Sequence, residues 1–468
     1  MAKKLVGMAL MFYPRGGSAQ VVRYLSRALE HTDWSARLAV GSLGLPGETT
    51  HAATFYDGLN VETADYTSAL ERFEHGEDHL AAPMPFHGSF EDRADAPDPI
   101  FAALDPLQTE AQIGAWEEVL QRAGFGCVDV IHLHHLTPMH QAAARRFPDV
   151  PIVSHLHGTE LKMLASPDAA RHRYHADWAI RLRSAAQQSA RIICISPHDA
   201  SEAVRLLGVS DDLIDVIPNG VDTDLFERRS LSISERLALW RQWLVDDPRG
   251  WDETGRPGSV SYAPEAIEEF VDRAGNASPV LVFVGRFLDF KRVPLLIRAY
   301  ARARSRLELP APLVIWGGSP GEWMGEHPHT VAKSEGADGV FFTGWRGHDE
   351  LPLALSSAEG LVAPSVDEPF GQVFLEAMAC GLPVITTRTG GPLSFVNTIA
   401  SQPNGWLVEP DDIDALADAI VSMVNDESER QNRSRNARDQ IRSRYAWAAL
   451  ASRFTDVYES ALTPEHRG

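Results

Sequence analysis

Apolar runs of roughly four to seven residues alternate with longer amphipathic stretches along most of the chain, the pattern of strands and helices in alternation. In the first half LVGMALMF leads through PRGGSAQ into VVRYLSRALEH, whose apolar residues recur at helical spacing. ARLAVGSL, DVIHLHH, PIVSHLHG, RIICISP and DVIPNG follow as further strands. In the second half PVLVFVGR leads into the helical PLLIRAYARAR, and APLVIWGG, VFFTGW, GLVAPS and LPVITT follow. This predicts an α/β chain of two successive doubly wound, Rossmann-like halves with a hinge near IPNGVDTDLF, residues 217–226. The expected domains are 1–218, 219–445 and a closing helix within 446–468.

Two segments break the alternation. Residues 66–108 are acidic and contain prolines, with Glu71, Glu74, Glu77, Asp78, Glu91, Asp92, Asp95 and Asp98. Residues 227–278 hold a tryptophan-rich helix candidate, ISERLALWRQWLV, then DDPRGWDETGRPGSVSY, then a second helix candidate, PEAIEEFVDRA. Both read as insertions, either surface decoration or a lid or acceptor loop. Trp240, Trp243 and Trp251 favour burial of the second one.

With 468 residues, about 150 per domain gives two or three domains, and 44% hydrophobic residues suffice for ordinary cores. The net charge of −21 argues against nucleic acid and anionic membrane as partners, because no dense Lys/Arg run offsets it. Cys127, Cys194 and Cys380 lie in or beside apolar segments without CxxC spacing, which reads as buried free thiols in a reducing, cytoplasmic setting. MAKKLVGMALMFYP passes into a glycine-rich loop and reads as a first strand rather than a signal peptide. No stretch approaches ~20 uninterrupted apolar residues.

Four places carry candidate chemistry. EPFGQVFLE, residues 368–376, sets two carboxylates around a Pro-Phe-Gly turn and an expected helix start. Carboxylates grip sugar hydroxyls, and the free N–H groups of a helix start suit phosphate. In PRGGSAQ, Gly16 and Gly17 remove side chains where backbone could approach an anion. In VGRFLDFKR, Arg286 leaves a strand at its carboxyl end and Lys291 follows five residues later, a guanidinium fork and a point charge suited to a diphosphate. In HLHGTEL, His157 and Glu160 sit where strand runs into loop. His132, His134 and His135 also alternate along one strand, but with no nearby carboxylate they make a poor complete metal site. Asp222 and Asp224 mimic a metal-binding DxD, though Asp222 sits where a turn or helix cap belongs.

Taken in order, GG at 16–17, HGTE at 157–160, IPNGVD at 217–222, GRFLDFK at 285–291, FTGW at 342–345 and EPFGQVFLEAMACGLPVI at 368–385 resemble the family 4 (group 1) retaining glycosyltransferases. The resemblance spans nearly the whole chain apart from the two insertions. It implies the GT-B fold, with two Rossmann-like domains facing a central cleft, the acceptor held mainly by the first and the nucleotide sugar by the second. On matching positions, His157 contacts the donor sugar near the reacting carbon, Arg286 and Lys291 hold the diphosphate, and Glu368 binds sugar hydroxyls. Phe370, Gly371 and Gln372 cradle sugar and phosphate, Glu376 binds the ribose, and Thr343 to Trp345 flank the base. Gly17 approaches the phosphate or the acceptor. Gly16, Glu160 and His135 are acceptor candidates. The family usually carries HGxD, and here the fourth residue is Glu160.

The expected activity is retaining hexosyl transfer (EC 2.4) from a UDP- or GDP-linked sugar to a hydroxyl of a soluble small molecule or sugar, with no metal and no other cofactor. The alternatives are a membrane-associated transferase acting on lipid or polysaccharide, and a non-catalytic nucleotide-sugar sensor. An epimerase of the same fold would need an acid–base pair around C2 of the donor, and the sequence offers none.

Overall fold

The computed structural model describes residues 3–91, 93, 96–368, 370–399 and 401–463. Asp92 and Asp95 of the acidic segment and Pro369 of the glutamate turn lie outside them. The chain divides into two compact units, Met1–Gly220 with Trp447–Gly468, and Val221–Ala446.

The first unit is built on a seven-stranded parallel sheet of order β3-β2-β1-β4-β5-β6-β7. Its strands are β1 (Lys4–Leu10), β2 (Trp34–Ser42), β3 (Val61–Asp65), β4 (Val130–His134), β5 (Ile152–Leu156), β6 (Arg191–Cys194) and β7 (Ile214–Val216). The central strands are buried on both faces because helices cover both sides of a parallel sheet, and β4 (VIHLH) and β5 (IVSHL) bury polar residues among apolar ones. The helix Gly17–Leu29 buries Val21, Val22, Leu25 and Leu29 along one stripe, as its spacing predicts. The final helix Trp447–Leu462 buries Leu450, Phe454 and Tyr458 in this same unit.

The second unit repeats the order in six strands, β10-β9-β8-β11-β12-β13. They are β8 (Leu281–Gly285), β9 (Leu313–Gly317), β10 (Val340–Gly344), β11 (Gly360–Val362), β12 (Val384–Thr387) and β13 (Gly405–Val408). The chain enters this unit at Val221 and leaves it at Ala446. The two passages run side by side, Val221 N–H donating to Tyr445 O at 2.8 Å. Asp222 Oδ1 accepts from the N–H groups of Asp224 and Leu225, so the DxD carboxylate is a turn cap.

Neither insertion is surface decoration. From the acidic segment Tyr66, Ala69, Phe86, Ile100, Phe101 and Leu104 join the core of the first unit. Asp98 is fully buried and takes both Arg15 (2.6 Å) and Arg93 (2.5 and 2.7 Å). The tryptophan-rich segment forms the helix Ile233–Arg241 and one π-helical turn, Gln242–Asp246. Its second helix candidate forms only a 3-10 run, Pro264–Phe270, after which Val271 is extended. Trp240 stacks on Phe270, and Trp243 meets Trp316 edge-on while its indole N–H donates to Glu350 at 2.7 Å. Trp251 stacks on Phe287, with Nε1–H donating to Gly318 O at 2.9 Å. The buried Arg346 guanidinium donates to the backbone oxygens of Trp243 and Asp247 and pairs with the Asp247 and Glu350 carboxylates. The segment therefore lies against the loops that leave β8, β9 and β10.

Two smaller expectations are corrected. Cys194 and Cys380 are buried thiols, whereas Cys127 is exposed. The strands β3 and β13 were not expected, because both are short and VETAD carries two charges in five residues.

Candidate functional site

In an open parallel sheet, ligands gather outside the carboxyl ends of the strands. In the second unit the loops after β8, β10, β11 and β12 carry the candidate residues. After β8, Arg286 is exposed and Lys291 closes the short turn Asp289–Lys291. After β11 comes Glu368, whose carboxylate forms an ion pair with the Lys291 ammonium, both side chains being largely buried. Val366 N–H donates to Phe290 O at 2.8 Å, tying these two loops together.

The glutamate turn then passes into the helix Gln372–Ala379 through Gly371, whose φ of 88° is the left-handed conformation that glycine adopts freely. Phe370 is buried against Phe395. Glu376, on this helix, meets Nε2 of His348 at 3.1 Å. From the loop after β12, Gly391 N–H donates to Glu368 O at 2.7 Å. At Gly390 (φ 72°) an added Cβ would fall 2.6 Å from Glu368 O, so only glycine permits this approach. Within β10, Thr343 is fully buried and its hydroxyl donates to Ile315 O, so its side chain faces the sheet interior. Trp345, two residues on, is exposed.

Sequence reasoning missed His348, Gly390 and Gly391. The glycine pair two residues beyond LPVITT carried a signal of the kind used for Gly16 and Gly17. His348 carried none, since its role depends on a fold that brings the loop after β10 beside a helix 28 residues further along.

In the first unit Gly16 caps the helix Gly17–Leu29 with extended backbone (φ −149°), and an added Cβ at Gly16 or Gly17 would meet nothing within 4 Å. Neither packing nor backbone strain demands glycine there. Arg15 lies over the Tyr13 ring at 4.8 Å and is held by Asp98, so the acidic segment anchors the glycine loop.

After β5, His157 is buried, with its ring 4.4 Å from those of His155 and His135. Its Nε2 lies 3.0 Å from His134 Nδ1. Burial, followed by the neighbouring imidazoles of His135, His155 and His132, holds it well below the ordinary histidine range, so it acts as a neutral hydrogen-bonding group. Glu160 is fully buried, its carboxylate occupied by His135 Nδ1 (3.4 Å), Thr159 Oγ1 (3.2 Å) and His157 N–H (3.3 Å). Burial alone would raise its pKa, but His135 and these hydrogen bonds outweigh that and lower it. The expectation that Glu160 meets an acceptor is thereby corrected: it braces His135 and His157.

The sequence pattern described as "Glycosyltransferase Family 4" matches residues 15–225, and that described as "Glycosyl transferases group 1" matches residues 266–440. A glycogen synthase of Mycobacterium tuberculosis is 29% identical over 348 residues, covering 72% of this chain and 70% of that protein. A D-inositol 3-phosphate glycosyltransferase 2 of Catenulispora acidiphila is 30% identical over 281 residues, covering 58% and 56%. Among solved structures, Anabaena HepE in complex with UDP and glucose superposes with a TM-score of 0.64 at 19% identity, covering 97% of this chain and 99% of that one.

Proposed function

Because the chain belongs to the group 1 glycosyltransferases, enzymes of the GT-B fold that move a sugar from a nucleotide-sugar donor, we propose that it performs retaining hexosyl transfer from a UDP- or GDP-linked sugar to a hydroxyl of a small soluble acceptor. The observation that carries this reading is the pairing of Lys291 with Glu368 beside the start of the helix Gln372–Ala379, with Glu376 and His348 one turn further along. A diphosphate meets Arg286, Lys291 and the helix N–H groups, the sugar meets Glu368, and the ribose meets Glu376. The loop carrying Trp345 flanks the base.

In the proposed reaction the bond from the anomeric carbon to the diphosphate breaks as the acceptor oxygen bonds to the same face. The acceptor proton passes to the departing phosphate oxygen, so no covalent nucleophile is required. Neutral His157 supports the reacting sugar without adding charge, and the cations Arg286 and Lys291 take up the negative charge that develops on the leaving group. Catalysis on this reading needs no metal. Among the described residues no helix is long and apolar enough to cross a membrane. The net charge of −21 favours a soluble acceptor over an anionic lipid.

The test is a thermal-shift panel of UDP-, GDP- and ADP-sugars, since a ligand at 100 times its dissociation constant adds about 2.7 kcal/mol of apparent stability. One nucleotide should stand out. No shift with any nucleotide sugar would refute the donor reading, and an inverted anomeric configuration in the product's NMR spectrum would refute retention.

A further inference from the structure

Four histidines make a patch on one face of the first sheet. His132 and His134 are two apart on β4, and His155 on β5 is in register with His134, with His157 two residues beyond. Residues two apart share a face, as do residues paired across parallel strands. The rings of His132, His134 and His155 are fully buried, with centroids 4.5, 5.0 and 5.3 Å apart. One nitrogen from each falls within 4.8 Å of the other two.

The hydrogen bonds around them are those a ligating imidazole needs. His132 Nδ1 lies 2.8 Å from the Tyr458 hydroxyl of the final helix, and His134 Nδ1 lies 3.0 Å from His157 Nε2. If each Nδ1 donates, each Nε2 carries a lone pair, and outer partners of this sort orient histidine ligands. Those two Nε2 atoms, and both ring nitrogens of His155, are buried without a hydrogen-bond partner. Unsatisfied buried polar atoms are rare in folded proteins, and several at one point call for a bound species.

We propose that His132, His134 and His155 bind one borderline transition-metal cation of the Zn2+, Co2+ or Ni2+ class as a structural cross-link between β4, β5 and the final helix. Imidazole suits these ions, which take four ligands at about 2.0–2.1 Å from nitrogen, a water supplying the fourth. Closing from 4.8 Å to the spacing of a tetrahedral site moves each ring by roughly 0.7 Å. The third ligand was not apparent in HxHH because it comes from the neighbouring strand. The three ligands all belong to the first unit, and the proposal stands whether or not the proposed reaction does.

The experiment uses tag-free full-length protein. Elemental analysis after reconstitution should give one ion per chain, Co2+ should add visible bands typical of nitrogen ligation, and chelation should lower Tm by roughly 5–10 °C. His155→Phe should lose both the ion and the chelator effect, holding less than about a tenth of an ion per chain. No ion in the wild type, or equal metal in His155→Phe, would overturn the proposal. Should that variant fail to fold, the wild-type Co2+ spectrum decides alone: one matching the hexaaqua ion refutes the site, because water rather than metal then satisfies the rings.

Discussion

The two units share one strand order, yet the carboxyl ends of their sheets hold opposite chemistry. In the first, β4 and the loop after β5 present His134 and His157, buried imidazoles held well below the ordinary histidine range, and the neighbouring carboxylate, Glu160, is taken up in bracing. In the second, the loops after β8 and β11 present Arg286, Lys291 and Glu368, with Glu376 on the helix that follows. A fold therefore does not choose its ligand. The loop residues do, and charge has been placed where a diphosphate would need it.

The difference extends to how each end is braced. The second unit uses tryptophans, and the sharpest test of that is Trp251→Ala. Its indole is fully buried, stacked on Phe287 in the Arg286–Lys291 loop and bonded to Gly318 O. The loss should cost ~3–5 kcal/mol, read as a lower unfolding midpoint in a denaturant melt. A cost under about 1 kcal/mol would mean that the segment is decoration after all.

Charge is tested next. Lys291→Ala should lower kcat/KM by the equivalent of ~2–4 kcal/mol, as for a lost preorganised oxyanion donor. The variant also leaves Glu368 without its cation, so Lys291→Arg should recover part of the loss. Wild-type turnover in Lys291→Ala would remove the charge contrast between the units.

Acid should separate the units in the other direction. Burial depresses His87 to about 3 and His140 to about 4, both in the first unit. A histidine lowered on folding contributes stability that is present above its unfolded value of 6.5 and lost as pH falls toward its folded value. Between pH 7 and pH 5 the two together cost about 4 kcal/mol. Asp199 runs the opposite way: burial raises it to about 6, so its contribution is lost as pH rises through that value and regained in acid. That returns about 1 kcal/mol by pH 5, leaving a net loss of about 2–3. In the second unit burial depresses His327 and His329 too, the first buried and the second half-buried. Hydrogen exchange at pH 5 should therefore show the first sheet opening before the second, and equal protection would contradict this account.

How much of this could be read from residues alone follows from where each signal lies. The long apolar strands, the alternation and the charged loops are local patterns, and Lys291, Glu368 and Glu376 were legible from spacing. Strands β3 and β13 were not, being short and lying at or near the edges of their sheets. The burial of Asp98 was hidden in an acidic run that reads as solvated, because only folding brings Arg15 and Arg93 to it. The PEAIEEF helix failed for a local reason as well: the run ends in extended backbone at Val271, which an isolated bridge pairs with Ala277. His155 and His348 depend on register and on packing between distant segments, which no single window contains.

His348 offers the smallest effect and the finest test of the donor end. Its Nε2 meets Glu376 at 3.1 Å, and its ring stands edge-on to Phe226 at 5.2 Å. If Glu376 holds the ribose, His348 orients that carboxylate and touches nothing that changes between ground state and transition state. His348→Ala should then raise the donor KM by about fivefold, or ~1 kcal/mol, with kcat unchanged, because uniform binding alone is lost. His348→Gln should restore most of it by keeping a donor near the carboxylate. A fall in kcat with KM unchanged would instead place His348 at the reacting sugar, and the division of labour between Glu368 and Glu376 would have to be redrawn.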